Sequence, residues 1–164
     1  MVDTTVYDSF ADDDLRKSIF FNPSGGYQAF KGNYASISSS FFSGLATDEI
    51  RLIKAECLAR KGMTAEAMFE LNALLSKRWT TGTFTNLEAT DPAQALNIIL
   101  LERRKELLFR GLRWIDIKRF NKEGAGITLT RHVKGKTFTL PPNDDRYALP
   151  LPTDIIELTG MPQN

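Results

Sequence analysis

The sequence has one cysteine, Cys57, and one histidine, His132, among its 164 residues. A single cysteine excludes an internal disulfide and a multi-cysteine metal site, and a histidine-based site would have to recruit other residue types or another chain. Twenty-one basic and twenty acidic side chains leave a formal charge of +1, which gives no electrostatic reason to expect binding to nucleic acid. We therefore expect no metal site, no cofactor and no nucleic-acid partner.

Long apolar runs are also missing. No window approaches the roughly 20 apolar residues that a membrane-spanning helix needs, and the first residues lack the basic stretch and apolar core of a signal peptide. The length and the 42% content of hydrophobic residues are typical of a globular unit with a sizeable core. Because no cap or patterned segment begins at residues 1–5, we expect the chain to be a piece of a longer protein.

Residues 1–46 show no sustained hydrophobic periodicity. They contain the Gly25-Gly26 pair and scattered aromatic residues, a composition typical of loops. We predict an irregular segment that packs on sequence missing upstream. The remainder, residues 47–164, is predicted to form one C-terminal unit.

A helical pattern begins at Thr47, which is predicted to cap a helix that runs to about Arg60. Its predicted apolar face consists of Ile50, Ile53 and Cys57, and Cys57 is expected to behave as a small buried hydrophobe. After a break at Lys61-Gly62, Thr64 is predicted to cap a second helix. The apolar residues of that helix are Ala67, Met68, Leu71, Leu74 and Leu75. Small alanines near the break allow close packing, as in tetratricopeptide-type hairpins.

A third helix is predicted to begin at Asp91-Pro92, because aspartate is a good N-cap and proline suits the first helical position. Gly111 can end this helix. A short amphipathic segment at residues 113–120 follows. These elements predict a mainly α fold that contains a tetratricopeptide-like helix hairpin and further helices.

The last forty residues predict a small β component. Apolar residues alternate on both sides of Lys134-Gly135, which indicates a β-hairpin that turns there. Residues 147–152 are expected to be extended because proline restricts its own residue and the one before it. Asp154 and Glu157 could form a capping box on a final helical turn. The complete predicted fold is therefore mainly α, with a small β-hairpin and irregular loops.

Three sequence blocks follow one another in a recognisable order. The first is the helical hairpin at residues 50–72, the second runs from Leu101 to Arg119, and the third combines residues 147–152 with the closing Gln163-Asn164. In this order they resemble the C-terminal part of the SusD/RagB family. Upstream, Asp14-Leu15-Arg16 is similar to a D-x-R stretch of that family. One departure is an arginine at position 110, where the family usually has glutamate.

The resemblance implies a non-catalytic protein that captures a nutrient, a glycan, at the cell surface. It also implies delivery of the ligand to a SusC-like, TonB-dependent outer-membrane transporter. By the same resemblance, the protein would be an outer-membrane lipoprotein of Bacteroidetes-type bacteria, attached only through an N-terminal lipid anchor upstream of this chain. Family members form most of their ligand groove from upstream sequence, whereas the hairpin at residues 47–78 is a candidate transporter contact.

A cluster of charged residues lies near the end of the third predicted helix. Paired carboxylates in such a cluster could support glycoside processing if they stood about 5 to 10 Å apart across a cleft. Spacings of three and four residues favour ion pairs along a helix instead, and an arginine fork could clamp a nearby loop or the Asp116 carboxylate. We therefore predict a structural motif and no enzyme activity. The residues of the motif are Glu102, Arg103, Arg104, Glu106, Arg113, Trp114 and Asp116.

Aromatic residues in loops are the candidate ligand-binding residues. Trp114 is predicted to be a core anchor, because Ile117 lies about one helical turn away. Trp79, Phe84 and Tyr27 lie in loop-like stretches, where an aromatic ring can stack on the apolar face of a sugar. Packing of these rings against missing upstream sequence is the interpretation that we favour, and ligand binding is the alternative. The alternative function is an intracellular tetratricopeptide-like adaptor that binds a peptide, which would need more repeats than the chain contains.

Overall fold

The computed structural model describes residues 2–32, 41–42 and 44–163. The helices in these ranges are α1 (Thr4–Asp8), α2 (Leu15–Phe20), α3 (Thr47–Arg60), α4 (Thr64–Leu75), α5 (Pro92–Glu106), α6 (Arg113–Lys122) and α7 (Thr153–Thr159). The strands are β1 (Phe21–Ser24), β2 (Tyr27–Phe30), β3 (Leu129–Val133) and β4 (Lys136–Leu140), and a 3₁₀ turn spans Asp145–Tyr147. The strands form two antiparallel pairs, β1 with β2 and β3 with β4. The predicted fold class is confirmed.

The contacts of the chain divide it into two compact units, Met1–Gly111 and Leu112–Asn164. The predicted boundary between residues 46 and 47 stays a prediction, as does packing of the first segment on upstream sequence. No helix in the described ranges is both long enough and apolar enough to cross a membrane. The closing Asn164, which contributed to the family resemblance, lies outside the described residues.

Helices α3, α4 and α5 form the core of the first unit. Only residues 61–63 separate α3 from α4, so the two helices pack as a hairpin, and α5 packs on both. Small side chains at the contacts let the helix axes approach closely. The fully buried residues are Leu52, Ala55 and Ala59 on α3, Ala67, Leu71 and Leu75 on α4, and Ala95 and Ile99 on α5.

The predicted apolar face of α3 is wrong. Ile50 is 54% exposed, Ile53 is 42% exposed and Cys57 is also exposed. The helix instead buries the face that carries Leu52, Ala55 and Ala59, together with Glu56. Alanines allow closer helix packing than isoleucines, so this face meets α4 and α5 although it is less hydrophobic.

The N-terminal 46 residues, expected to be mostly loop, contain α1, α2 and the β1–β2 hairpin among those described. Aspartates begin both helices: the Asp3 carboxylate accepts from the Thr5 N–H at 2.9 Å and Asp14 accepts from the Arg16 N–H at 3.0 Å. Such caps satisfy helix N–H groups that otherwise have no partner. A buried cluster of Val2, Val6, Phe10 and Phe21 holds the segment together.

The second unit contains α6, the β3–β4 hairpin and α7. Residues pair across the hairpin from Leu129 with Leu140 to Val133 with Lys136. Lys134 and Gly135 form the two-residue turn with φ of 48° and 74°, as a type I′ turn requires. This confirms the predicted turn.

The helix ends correct several predicted caps. Asp91 caps α5 as predicted, since its side chain accepts from the Gln94 N–H at 2.8 Å. Thr47 and Thr64 are first helical residues rather than caps. Asp154 forms no capping box with Glu157, because Pro152 occupies the N-cap of α7 and places Asp154 inside the helix. The predicted extended stretch at residues 147–152 begins one residue late, because Tyr147 ends the 3₁₀ turn.

Candidate functional site

A buried ion-pair network centres on Arg16, whose side chain is 2% exposed. Its Nη2 donates to Asp14 Oδ2 at 2.7 Å and to Glu102 Oε2 at 2.8 Å. Its Nη1 donates to Glu106 Oε2 at 2.9 Å. One guanidinium therefore joins the start of α2 to the C-terminal half of α5.

Further cations complete this network. Arg78 Nε donates to the second oxygen of Glu106 at 2.8 Å, and Lys105 pairs with Glu102. Burial acts to lower the pKa of Arg16, but the hydrogen bond that Arg16 donates to Asp14 and the charges of Glu102 and Glu106 outweigh it. The pKa of the Arg16 guanidinium therefore lies above its ordinary value.

The main ion pairs of the predicted structural motif therefore join α5 to other parts of the chain and do not run along α5 itself. Glu102 and Glu106 share Arg16, from a different helix. Arg103 is buried, and Arg104 lies at the surface with Nη2 3.5 Å from Asp3 Oδ2. In the second unit, Asp116 accepts from Arg119 Nε at 3.0 Å and Arg113 is half-buried. The structural role of these residues stays a prediction.

Trp79 and Phe84, two of the three predicted ligand-binding residues, lie together. Their ring centroids are 5.8 Å apart, and both side chains are half-buried. The third, Tyr27, lies on β2 with 56% of its surface exposed. Within the described ranges no ring contact joins Tyr27 to the pair. The structure therefore brings together two of the three candidates.

The backbone around this aromatic pair is held at both ends. The Thr80 N–H donates to the Asp13 carbonyl at 3.0 Å, and the Leu15 N–H donates to the Arg78 carbonyl at 2.8 Å. Further along, the Asn72 side chain both donates to and accepts from the Leu87 backbone at 2.9 Å. These bonds fix the loop before any ligand arrives, which reduces the entropy lost on binding.

Polar residues lie close to the two aromatic residues in sequence. Thr81, Thr83, Thr85 and Asn86 lie in the same loop and are exposed. An aromatic face next to hydroxyl and amide groups can stack on a sugar ring and hydrogen-bond its hydroxyls. We call Trp79, Phe84 and these four polar residues the aromatic loop.

Trp114 was predicted to be a core anchor. It is half-buried on α6, and its ring centroid lies 5.0 Å from that of Tyr147, which is buried. This contact ties α6 to the 3₁₀ turn within the second unit. Trp114 therefore contacts a buried residue of its own unit, and its role as a core anchor stays a prediction.

The sequence and the fold resemble those of one known protein family. The family model described as the SusD family matches residues 10–160. The chain belongs to the SusD family. This SusD-family chain resembles a SusD-like carbohydrate binding protein from Bacteroides vulgatus. The two are 27% identical, and the match covers 96% of the present chain with a TM-score of 0.57. A SusD-like protein from Bacteroides fragilis is 25% identical over 71% of the chain and 24% of its own length, with a TM-score of 0.49.

The chain corresponds to only part of its structural relative. The chain spans 40% of the length of the Bacteroides vulgatus protein. Among curated proteins, none matches the sequence. Four residues of the buried network were not among those predicted for the structural motif: Asp14, Arg16, Arg78 and Lys105. The similarity of Asp14-Leu15-Arg16 to a D-x-R stretch of the family was the signal that could have found Arg16.

Proposed function

We propose that this chain is part of a non-catalytic SusD-family protein that captures a glycan at the cell surface. Membership of the family supports nutrient binding, and the Bacteroides vulgatus relative is described as carbohydrate binding. The single observation that carries the proposal for this chain is the fixed Trp79–Phe84 pair. The aromatic loop then supplies a stacking surface, while upstream sequence supplies most of the ligand groove.

The geometry of the carboxylates supports binding without catalysis. Glu102 and Glu106 each accept a hydrogen bond from the buried Arg16, and Glu106 also accepts from Arg78. A general acid or base must reach the substrate, whereas Glu102 and Glu106 are buried and already paired with Arg16. These two groups are therefore better suited to holding α5 and α2 together.

Replacing Trp79 with alanine tests the glycan site. We expect the Trp79→Ala variant to bind the glycans recognised by the natural chain about tenfold more weakly, since stacking on one aromatic ring contributes about 1 kcal/mol or more. Isothermal titration calorimetry against a panel of soluble oligosaccharides measures this loss. Phe138→Ala is the matched control, because it removes an exposed aromatic side chain of β4 in the other unit. Equal affinity of Trp79→Ala and the natural chain would refute a role for the aromatic loop.

Delivery to a SusC-like, TonB-dependent transporter is the second part of the proposal, with the protein held at the outer-membrane surface as a lipoprotein. The α3–α4 hairpin supports it, because Ile50, Ile53 and Phe69 expose apolar surface there and Phe69 is 71% exposed. Large apolar side chains that are exposed on two neighbouring helices are candidate contacts with partners. We call this surface the hairpin face.

A single charged substitution on the hairpin face tests whether this surface contacts the transporter. We expect Phe69→Asp to weaken binding to the purified SusC-like transporter of the same bacterium at least about tenfold, because a carboxylate would be buried without a partner. Surface plasmon resonance with the transporter in detergent measures the affinity. Phe138→Asp, an equally drastic change at an exposed phenylalanine of β4, should bind normally. If both variants bind as well as the natural chain, the hairpin face is not the transporter contact.

A further inference from the structure

A mainly apolar cavity of about 270 Å³ lies within the Met1–Gly111 unit, separate from the residues of the aromatic loop. Its walls include Phe20, Phe30 and Phe109, and charged side chains reach it from Lys77 and Arg78. Such a volume is close to that of the smaller ligand pockets, which begin at roughly 300 Å³. It suits a molecule with about one ring rather than an oligosaccharide.

Phe109 forms the most unusual part of the wall. Its backbone has a φ of 58°, in the left-handed region that bulky residues rarely adopt. In this conformation its ring stacks on Phe30, with centroids 4.6 Å apart and planes 21° apart, and on Phe41, with centroids 5.3 Å apart. Strained backbone of this kind is concentrated at functional sites. Phe109, Phe30 and Phe41 together form an aromatic part of the cavity wall.

The charges around the cavity favour an anion. Arg16, Arg78 and Glu106 reach the wall but already pair with one another. Arg110 also lines the cavity and pairs with Asp48 at 3.1 Å. Lys77, by contrast, is exposed, and in the part of the chain that the structure describes it forms no ion pair. It is the lining cation that can accept a carboxylate without giving up an existing partner.

We propose that this cavity binds a small aromatic carboxylate, with the ring against Phe109 and the carboxylate paired with Lys77. The apolar wall disfavours a sugar ring, whose hydroxyl groups would lose hydrogen bonds to water without gaining partners. Stacked or edge-to-face contacts with phenylalanines favour an aromatic ring instead. This site is independent of glycan binding at the aromatic loop, so either proposal can fail alone.

The test combines two ligands with one surface variant. The full 164-residue chain is titrated with 3-phenylpropanoate and with its neutral amide, and binding is followed by calorimetry and by saturation-transfer NMR. We expect saturable binding, with the carboxylate preferred roughly fivefold over the amide, as one exposed ion pair permits. In Lys77→Gln this preference should disappear. Lys136→Gln, which removes an exposed lysine of the other unit, should retain it.

A second variant tests the ring contact. Phe109→Leu keeps an apolar side chain but removes stacking, so it should weaken both ligands by roughly threefold to tenfold. Thermal unfolding monitored by circular dichroism shows whether each variant is folded, and Lys77→Gln tests the site even if Phe109→Leu is not. The proposal is overturned if neither ligand saturates, if the carboxylate preference survives in Lys77→Gln, or if a folded Phe109→Leu binds as the natural chain does.

Discussion

Replacing Arg16 with methionine should lower the free energy of unfolding by about 3 to 5 kcal/mol, because removal of one partner from a buried ion pair leaves charge without compensation. Methionine has a similar length and is apolar, so the change removes charge more than volume. Three carboxylates lose a partner, and Asp14 and Glu106 are almost fully buried. Urea denaturation at pH 7, followed by circular dichroism, measures the loss.

A matched control lies on α5. Arg104→Met removes an arginine whose Nη2 is 3.5 Å from Asp3 Oδ2, where the two side chains are 37% and 56% exposed. Surface pairs of this kind contribute about 0 to 1 kcal/mol, so this variant should remain close to the natural chain. An Arg16→Met variant no less stable than Arg104→Met would show that the buried network does not hold α2 to α5.

Asp14→Asn in the Arg16→Met background adds a further check. Asp14 has its carboxylate within 2.7 Å of Arg16 Nη2, and its own side chain is fully buried. Once the arginine is gone, neutralising this carboxylate removes a buried unpaired charge and should recover part of the lost stability. Two independent losses would instead add, so the double variant would be the least stable of the three.

Local sequence signals were sufficient for much of the fold. The Asp91-Pro92 start of α5 and the Lys134-Gly135 turn depend on residues next to one another, and both lie where predicted. The order of three sequence blocks was sufficient for the family, which the match over residues 10–160 confirms. Such features need no knowledge of which elements meet in space.

The buried network and the candidate glycan site could not be predicted without knowing which elements meet in space. Arg16 meets Glu102 across 86 residues of sequence, and no spacing rule relates positions so far apart. The exposed setting of loops identified Trp79 and Phe84 as candidates, but only the folded loop places their rings 5.8 Å apart. Tyr27 met the same sequence criterion and lies apart from them. Periodicity also chose the wrong face of α3, because it counts hydrophobic residues and ignores how closely alanines let helices pack.

Substitutions at two neighbouring residues of α3 test which face of the helix is buried. Leu52 is 1% exposed and Ile53 is 42% exposed. Leu52→Ala should lower the free energy of unfolding by about 2 to 5 kcal/mol, since it removes buried apolar surface and leaves a cavity between α3 and its neighbours. Ile53→Ala makes a similar change in size at the adjacent position and should cost less than about 1 kcal/mol.

Urea denaturation of both variants under identical conditions compares the two faces directly. Because both substitutions place alanine in the same helix, the difference in intrinsic helix propensity is small and burial dominates the comparison. A larger loss for Leu52→Ala places the core on the face that carries Ala55 and Ala59. A larger loss for Ile53→Ala would place it on the face of Ile50 and Cys57, and the hairpin face would then be too buried in the isolated chain to meet a transporter.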